Sequence, residues 1–211
     1  MRIAIIGATG KSGSMILNEA LRRNLDCTVI IRRPERLNAK VPYIQRDVFG
    51  ITVGDIAPFD VIVSAFGNED YNNRKQHIEV IEHYQTILKN SGKRLITVGA
   101  AGHLFTDKMR QIKFYDNNQS EEMREACIVL EQAYLTLKNN SIGFDWTYMA
   151  PAIVYSWKGE RTGKYQTGLD IVLKNSKGKS VISYADYAAA MLDEIENPQY
   201  VNTIFTVANC E

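Results

Sequence analysis

Three glycines, each separated from the next by two residues, carry the strongest chemical signal in the chain. Gly7-Ala8-Thr9-Gly10-Lys11-Ser12-Gly13 stands between a β-branched run at 2–6 and a segment of helical periodicity at 11–24. Glycine there lets the backbone turn tightly and brings its amides close to a pyrophosphate, while the helix start adds the positive end of its dipole. The spacing is common by itself. Between strand and helix it points to dinucleotide binding, with Gly7, Thr9, Gly10, Lys11, Ser12 and Gly13 as candidate contacts. Gly10-Lys11-Ser12 also looks like the end of a nucleoside-triphosphate loop, but such a loop needs glycine where Ile5 stands. About twenty residues beyond the glycines, folds that select NAD place an acid at the end of the second strand. Here the chain reads Ile31-Arg32-Arg33-Pro34-Glu35-Arg36. Arg32 takes the acid's place and Arg36 is near, so a guanidinium fork for a 2′-phosphate is expected, and NADP(H) is favoured over NAD(H). The bland alternative is a solvated basic turn, and Glu35 could pair with either arginine.

Other constellations are poorer. Tyr134 and Lys138 have the Tyr-x-x-x-Lys spacing in which a lysine tunes a tyrosine for proton transfer. They lie near the end of their helix among Leu130, Leu135 and Leu137, where a packing tyrosine is the favoured reading. His77 and His83 are six apart on one helix and share no face, so no metal site is expected. Ser64, Ser91 and Ser156 sit in no Gly-x-Ser-x-Gly elbow. Cys27, Cys127 and Cys210 are scattered, with neither disulfide-framework nor zinc spacing, and favour a reducing, cytoplasmic setting. Lys plus Arg is 25 against 24 Asp plus Glu, a net charge of +1, which argues against a nucleic-acid binder. No apolar stretch reaches the ~18 residues of a membrane span.

The elements that must hold these residues alternate. Strands are expected at 2–6, 27–31, 43–45, 61–64, 95–98, 142–149 and 203–207, and helices at 11–24, 70–90, 119–139 and 183–197. Short apolar strands separated by helices imply β-α-β units, hence an α/β, Rossmann-type, doubly wound and mainly parallel sheet. Residues 156–180, rich in Gly, Lys, Ser and Thr, break that pattern, and a small irregular C-terminal lobe over the strand ends is expected. The length suits one domain over 1–211, with 155–211 as its substrate-side elaboration. Phe66, Phe105, Tyr115, Tyr155 and Trp157 fall in or after the loops where such sheets bind ligands, so some could wall a planar substrate.

Over essentially its whole length the chain resembles the atypical short-chain dehydrogenase/reductase group. The likeness is to its NAD(P)H-binding proteins: NmrA-like proteins, NADH-flavin reductases and biliverdin-IXβ/flavin reductases. Its marks are Ile3-Ala4-Ile5-Ile6-Gly7-Ala8-Thr9-Gly10, Arg46-Asp47-Val48, Asp60-Val61-Ile62-Val63-Ser64-Ala65, Asp145-Trp146-Thr147 and Ile182-Ser183-Tyr184-Ala185-Asp186. The resemblance implies that Asp47 and Val48 flank the adenine and that Ala65, Phe66 and Gly67 pass under its ribose. It implies further that Val98, Gly99 and Ala100, with Ala150, Pro151 and Ala152, border the nicotinamide. The reductases' serine and histidine are replaced by Gly102 and Ala152, with His103 next in line as a weak catalytic candidate beside the option of an exposed loop histidine. Three functions follow as expectations. The first is NADPH-dependent reduction of FMN, another flavin or a similar planar small-molecule acceptor, by a monomer or homodimer. The second is a non-catalytic NADP(H)-binding redox sensor, and the weakest is a nucleotide-sugar epimerase or dehydratase.

Overall fold

The computed structural model describes residues 1–68, 73–117 and 119–211. The chain begins with β1 (Arg2–Ile6), α1 (Lys11–Arg22), β2 (Asp26–Ile31), β3 (Tyr43–Gln45) and the single turn α2 (Val53–Ile56). It continues through β4 (Val61–Ser64), α3 (Gln76–Leu88), β5 (Arg94–Val98), α4 (Glu121–Asn140) and β6 (Asp145–Ala150). The last part comprises β7 (Val154–Ser156), β8 (Tyr165–Gly168), β9 (Val181–Ser183), α5 (Tyr184–Glu196) and β10 (Thr203–Asn209).

Among the described residues the main sheet runs β3-β2-β1-β4-β5-β6-β10-β8, parallel except for β8, which pairs antiparallel with β10. From β1 the chain winds outward to β2 and β3, then returns to the other side of β1 to lay down β4. That reversal opens a crevice at the carboxyl ends of β1 and β4, where open α/β sheets take their ligands. Alternation along β1 supplies both cores. Ile3 and Ile5 face α1 and α5, whereas Ala4 and Ile6 face α3 and α4, and all four are buried. The C-terminal residues Ile182, Tyr187 and Phe205 share the first of these cores with Ile3 and Ile5.

Helix ends follow local chemistry. Asn24 takes a left-handed φ of 54° and closes α1. Ser120 caps α4, its hydroxyl accepting from the Met123 amide, and Glu121 and Glu122 occupy the first turn, where they suit the helix dipole. Ser183 accepts from the Asp186 amide at 2.9 Å and starts α5 as expected.

Three expectations need correction. The helix expected at 70–90 spans Gln76–Leu88; residues 70–72 lie outside the described ones. At its far end Asn90 is left-handed (φ 56°) and donates to the Ile142 carbonyl, while Gly92 donates to the Gly143 carbonyl. The same paired turn keeps Ile142 out of β6, which begins at Asp145. The lobe at 156–180 is also less irregular than its composition suggests. β8 extends the main sheet, and β7 pairs with β9 in a small parallel sheet of its own.

Candidate functional site

A cleft of about 790 Å³ lies along the carboxyl edge of the sheet, within the ~300–1,000 Å³ range of cofactor pockets. Gly7, Thr9, Gly10, Lys11 and Ser12 form its floor. Gly7 has φ +78°, and a Cβ there would stand 2.7 Å from the Ala65 carbonyl oxygen, so the loop can lie against β4's end only without a side chain. Gly10 offers α1 no side-chain cap, and no acid stands in the first helical turn. The open face of this loop therefore suits a pyrophosphate, and the residues present fit a nicotinamide dinucleotide. Gly13 is not on the floor. It is buried beneath Gly7, where it lets α1 pack against the loop.

Toward β2 the lining is basic: Arg32, Arg33, Arg36 and Arg46. Arg32 Nη1 lies 3.5 Å from Asp47 Oδ2, and Arg46 pairs with Asp55 at 3.3 Å. Among the described residues Glu35 makes no ion pair with Arg32 or Arg36, so the competition feared from the sequence does not arise. Val48, Ala65, Phe66 and Gly67 line the cleft beside these groups.

Toward β5 and β6 the wall is apolar and aromatic. Val98, Gly99, Ala100, Leu130, Ala133 and Tyr148 form it, with Tyr184 also on the lining. Gly99 is required because a Cβ would meet the Tyr148 ring, at 2.7 Å from Cδ1. The Tyr148 hydroxyl accepts from the Ala100 amide at 3.0 Å, and burial holds its acidity far below that of a free phenol. Ala150, Pro151 and Ala152, expected beside the nicotinamide, are buried off the lining; Ala152 packs in the α1-side core near Tyr187. Several lining residues escaped the sequence reading. Tyr184 lies against Tyr155 with ring centroids 3.7 Å apart, and the Tyr155 hydroxyl meets Ser12 Oγ at 3.1 Å. His77 lines the cleft edge-on to Phe66, its pKa pushed down by burial. Thr97 also lines it, its buried hydroxyl having no partner among the described residues.

The remaining candidates sit elsewhere. Tyr134 packs against Trp146 and Tyr148 behind the wall, and Lys138 is exposed. His103 is neither exposed nor on the lining. It is buried and stacked on Tyr134 at 5.3 Å, with neither ring nitrogen bonded among the described residues. Burial pushes its pKa down to about 4, so it is a neutral packing group. Tyr115 is tied to Glu131 and Phe105 bridges to Ile171, while Trp157 is exposed. His83 bonds the Ile51 carbonyl oxygen at 2.9 Å, and no cluster with metal-holding composition occurs among the described residues.

Two buried carboxylates fasten the 160–164 loop to the helices beside the cleft. Glu19 of α1 accepts both ends of the Arg161 guanidinium at 3.0 Å. Asp186 of α5 accepts from the Thr162 amide, the Thr162 hydroxyl and the Gly163 amide at 2.7–2.8 Å. Asp186, in the first turn of α5, therefore straps the loop to that helix. Hydrogen bonds to a charged group contribute about 1.5–3 kcal/mol each. Asp186→Ala should lose at least about 3 kcal/mol, lowering the melting temperature by roughly 6–12 °C in a calorimetric scan. A shift under about 2 °C would show the strap to be dispensable.

A profile of the NAD(P)H-binding family matches residues 7–198. The uncharacterised protein YwnB of Bacillus subtilis (strain 168) is 39% identical, over 99% of both chains. Among solved structures, a protein of Streptococcus pneumoniae TIGR4 provisionally named an NADH-flavin reductase superposes with TM-score 0.92 and 30% identity, covering 99% of each chain. One from Bacteroides thetaiotaomicron, provisionally named an epimerase, gives 0.83 and 30%, covering 100% of this chain and 97% of the other. No helix among the described residues is long and apolar enough to cross a membrane. With its glycine loop at the sheet's switch point and that match over nearly the whole chain, the protein belongs to the NAD(P)H-binding family of atypical short-chain dehydrogenases/reductases.

Proposed function

We propose that the protein uses NADPH to reduce FMN, riboflavin or a similar planar conjugated acceptor. The observation that carries this reading is the wall at the ends of β5 and β6. Leu130, Ala133 and Tyr148 line it, the Tyr184 ring is also on the lining, and the Tyr148 hydroxyl is already engaged. Such a surface can hold a flat ring system and keep water from it, but among the described residues the Tyr134/Lys138 pair is not on it to protonate an alkoxide. Bound NADPH supplies the hydride. The chain's part is to place donor against acceptor, which is the main demand when the acceptor spreads the incoming charge over its rings. The glycine loop and arginines would hold the phosphates, and Gly99 lets the Tyr148 ring pack closely into the wall. On this reading the protein acts in the cytoplasm on a small molecule, as a monomer or homodimer.

Purified protein should oxidise NADPH steadily when FMN or riboflavin is added. No oxidation with flavins, quinones or tetrapyrroles, together with unequal affinity for NADPH and NADP⁺, would make it a sensor instead. An epimerase would need the Tyr134/Lys138 pair, which packs behind the wall or faces solvent. Tyr134→Phe keeps the ring and loses only the hydroxyl. Turnover should stay within about three-fold, where a true general acid contributes ~10²–10⁴-fold. Abolished turnover in a folded, NADPH-binding variant would reverse that assignment.

A further inference from the structure

The two oxygens of Asp47 do different work. Oδ1 accepts from the Phe49 amide at 3.2 Å and caps the short turn Val48–Gly50. Oδ2 faces Arg32 Nη1 at 3.5 Å. Both residues line the cleft and both are exposed, at 64% for Arg32 and 46% for Asp47. An exposed ion pair of that length is weak and easily displaced. Arg33 and Arg36, also on the lining, have no carboxylate within ion-pair distance among the described residues, and Arg46 is held by Asp55. Asp47 is thus the carboxylate set against the arginine expected to take the 2′-phosphate.

We propose that Asp47 is a specificity-determining residue that competes with the cofactor's 2′-phosphate for Arg32 and so narrows the preference for NADPH over NADH. This rests on the NADPH reading above. A 2′-phosphate carries one to two negative charges, so its approach to Arg32 must loosen the Asp47 pair and meet the carboxylate's own repulsion. NADH brings a neutral 2′-hydroxyl to the same place. A neutral hydroxyl meets no such repulsion, so Asp47 does not oppose NADH in this way.

Asp47→Asn tests this cleanly, because an amide oxygen still caps the Phe49 amide while the charge is removed. Affinities for NADPH, NADH and 2′-AMP are measured by calorimetry, with circular dichroism to show that the variant is folded. NADPH and 2′-AMP should bind about two- to five-fold tighter at low salt, the size of one exposed ion pair, and NADH no tighter. The gain should shrink at high ionic strength, where exposed charges are screened. In an Arg32→Ala background, Asp47→Asn should give a smaller gain, since the contested cation is gone. If Asp47→Asn leaves NADPH and 2′-AMP affinity unchanged while Arg32→Ala weakens both, the competition is refuted and the NADPH reading survives. If the unmodified protein binds NADPH and NADH equally and Arg32→Ala changes neither, both fall together.

Discussion

Gly13→Ala should weaken NADPH binding by at least about 100-fold, a loss of roughly 2.7 kcal/mol. A Cβ at this position would overlap the Gly7 carbonyl oxygen and stand 2.8 Å from the Gly7 carbonyl carbon and 2.9 Å from Ala8 Cα. All three neighbours are backbone, so no side chain can rotate away. Either α1 moves off the sheet or the glycine loop shifts, and the loop is the softer of the two. Its amides would then leave the positions from which they can meet a pyrophosphate. Overpacking of this kind costs about 1–3 kcal/mol of stability, which a domain of this size can survive. Calorimetric titration with NADPH, alongside circular dichroism, separates lost binding from lost folding. Gly54→Ala is the control, since a Cβ there meets nothing closer than Thr52 Oγ1 at 3.7 Å. Wild-type affinity in a folded Gly13→Ala variant would contradict the role given to the loop.

Arg32→Ala should weaken NADPH binding by about ten- to a hundred-fold, the worth of one charge-assisted hydrogen bond to phosphate. NADH affinity should stay within about two-fold, because a ribose hydroxyl offers a guanidinium far less than a phosphate does. Arg36, also on the lining, can supply part of the lost charge, which places the lower end of that range within reach. The measurement is the ratio of NADPH to NADH dissociation constants, at fixed salt. A ratio unchanged by the substitution would move the cofactor preference elsewhere in the cleft, with Arg33 next in line.

The two effects arise at different levels of the structure. The Arg32 prediction was available from the chain alone: an arginine where an acid is usual, at a fixed distance from a glycine loop. So was the identity of the glycine motif, because strand, turn and helix are local and each is written in a few adjacent residues. The Gly13 prediction needed the fold. Sequence grouped Gly13 with the cofactor contacts, whereas its neighbours show a residue that keeps backbone segments close and does not face the cleft. The same holds for Ala150, Pro151 and Ala152, whose placement depends on how β6 turns into the C-terminal lobe.

Tyr184 and His77 show the limit from the other side. Tyr184 follows the cap of α5 and reads as an ordinary first-turn residue until β7 brings Tyr155 against it. His77 reads as a helix histidine until the loop after β4 lays Phe66 across it. Neither partner is near in sequence, so no periodicity could pair them. His103 was placed beside the right strand end, but its burial and loss of charge depend on Tyr134 and Tyr148, from α4 and β6.

The alternation of strands and helices, the parallel sheet, the glycine loop at its switch point and the arginines near the end of β2 are all legible in the chain. Each of these rests on local propensity, on burial of both faces of a short apolar run, or on residues at a fixed short spacing along one β-α-β unit. Tertiary structure alone decided that β8 joins the sheet, that Glu19 and Asp186 strap the 160–164 loop, and which aromatic residues reach the cleft. Those outcomes depend on contacts between residues far apart in the chain, whose partners exist only once both cores have packed against the sheet.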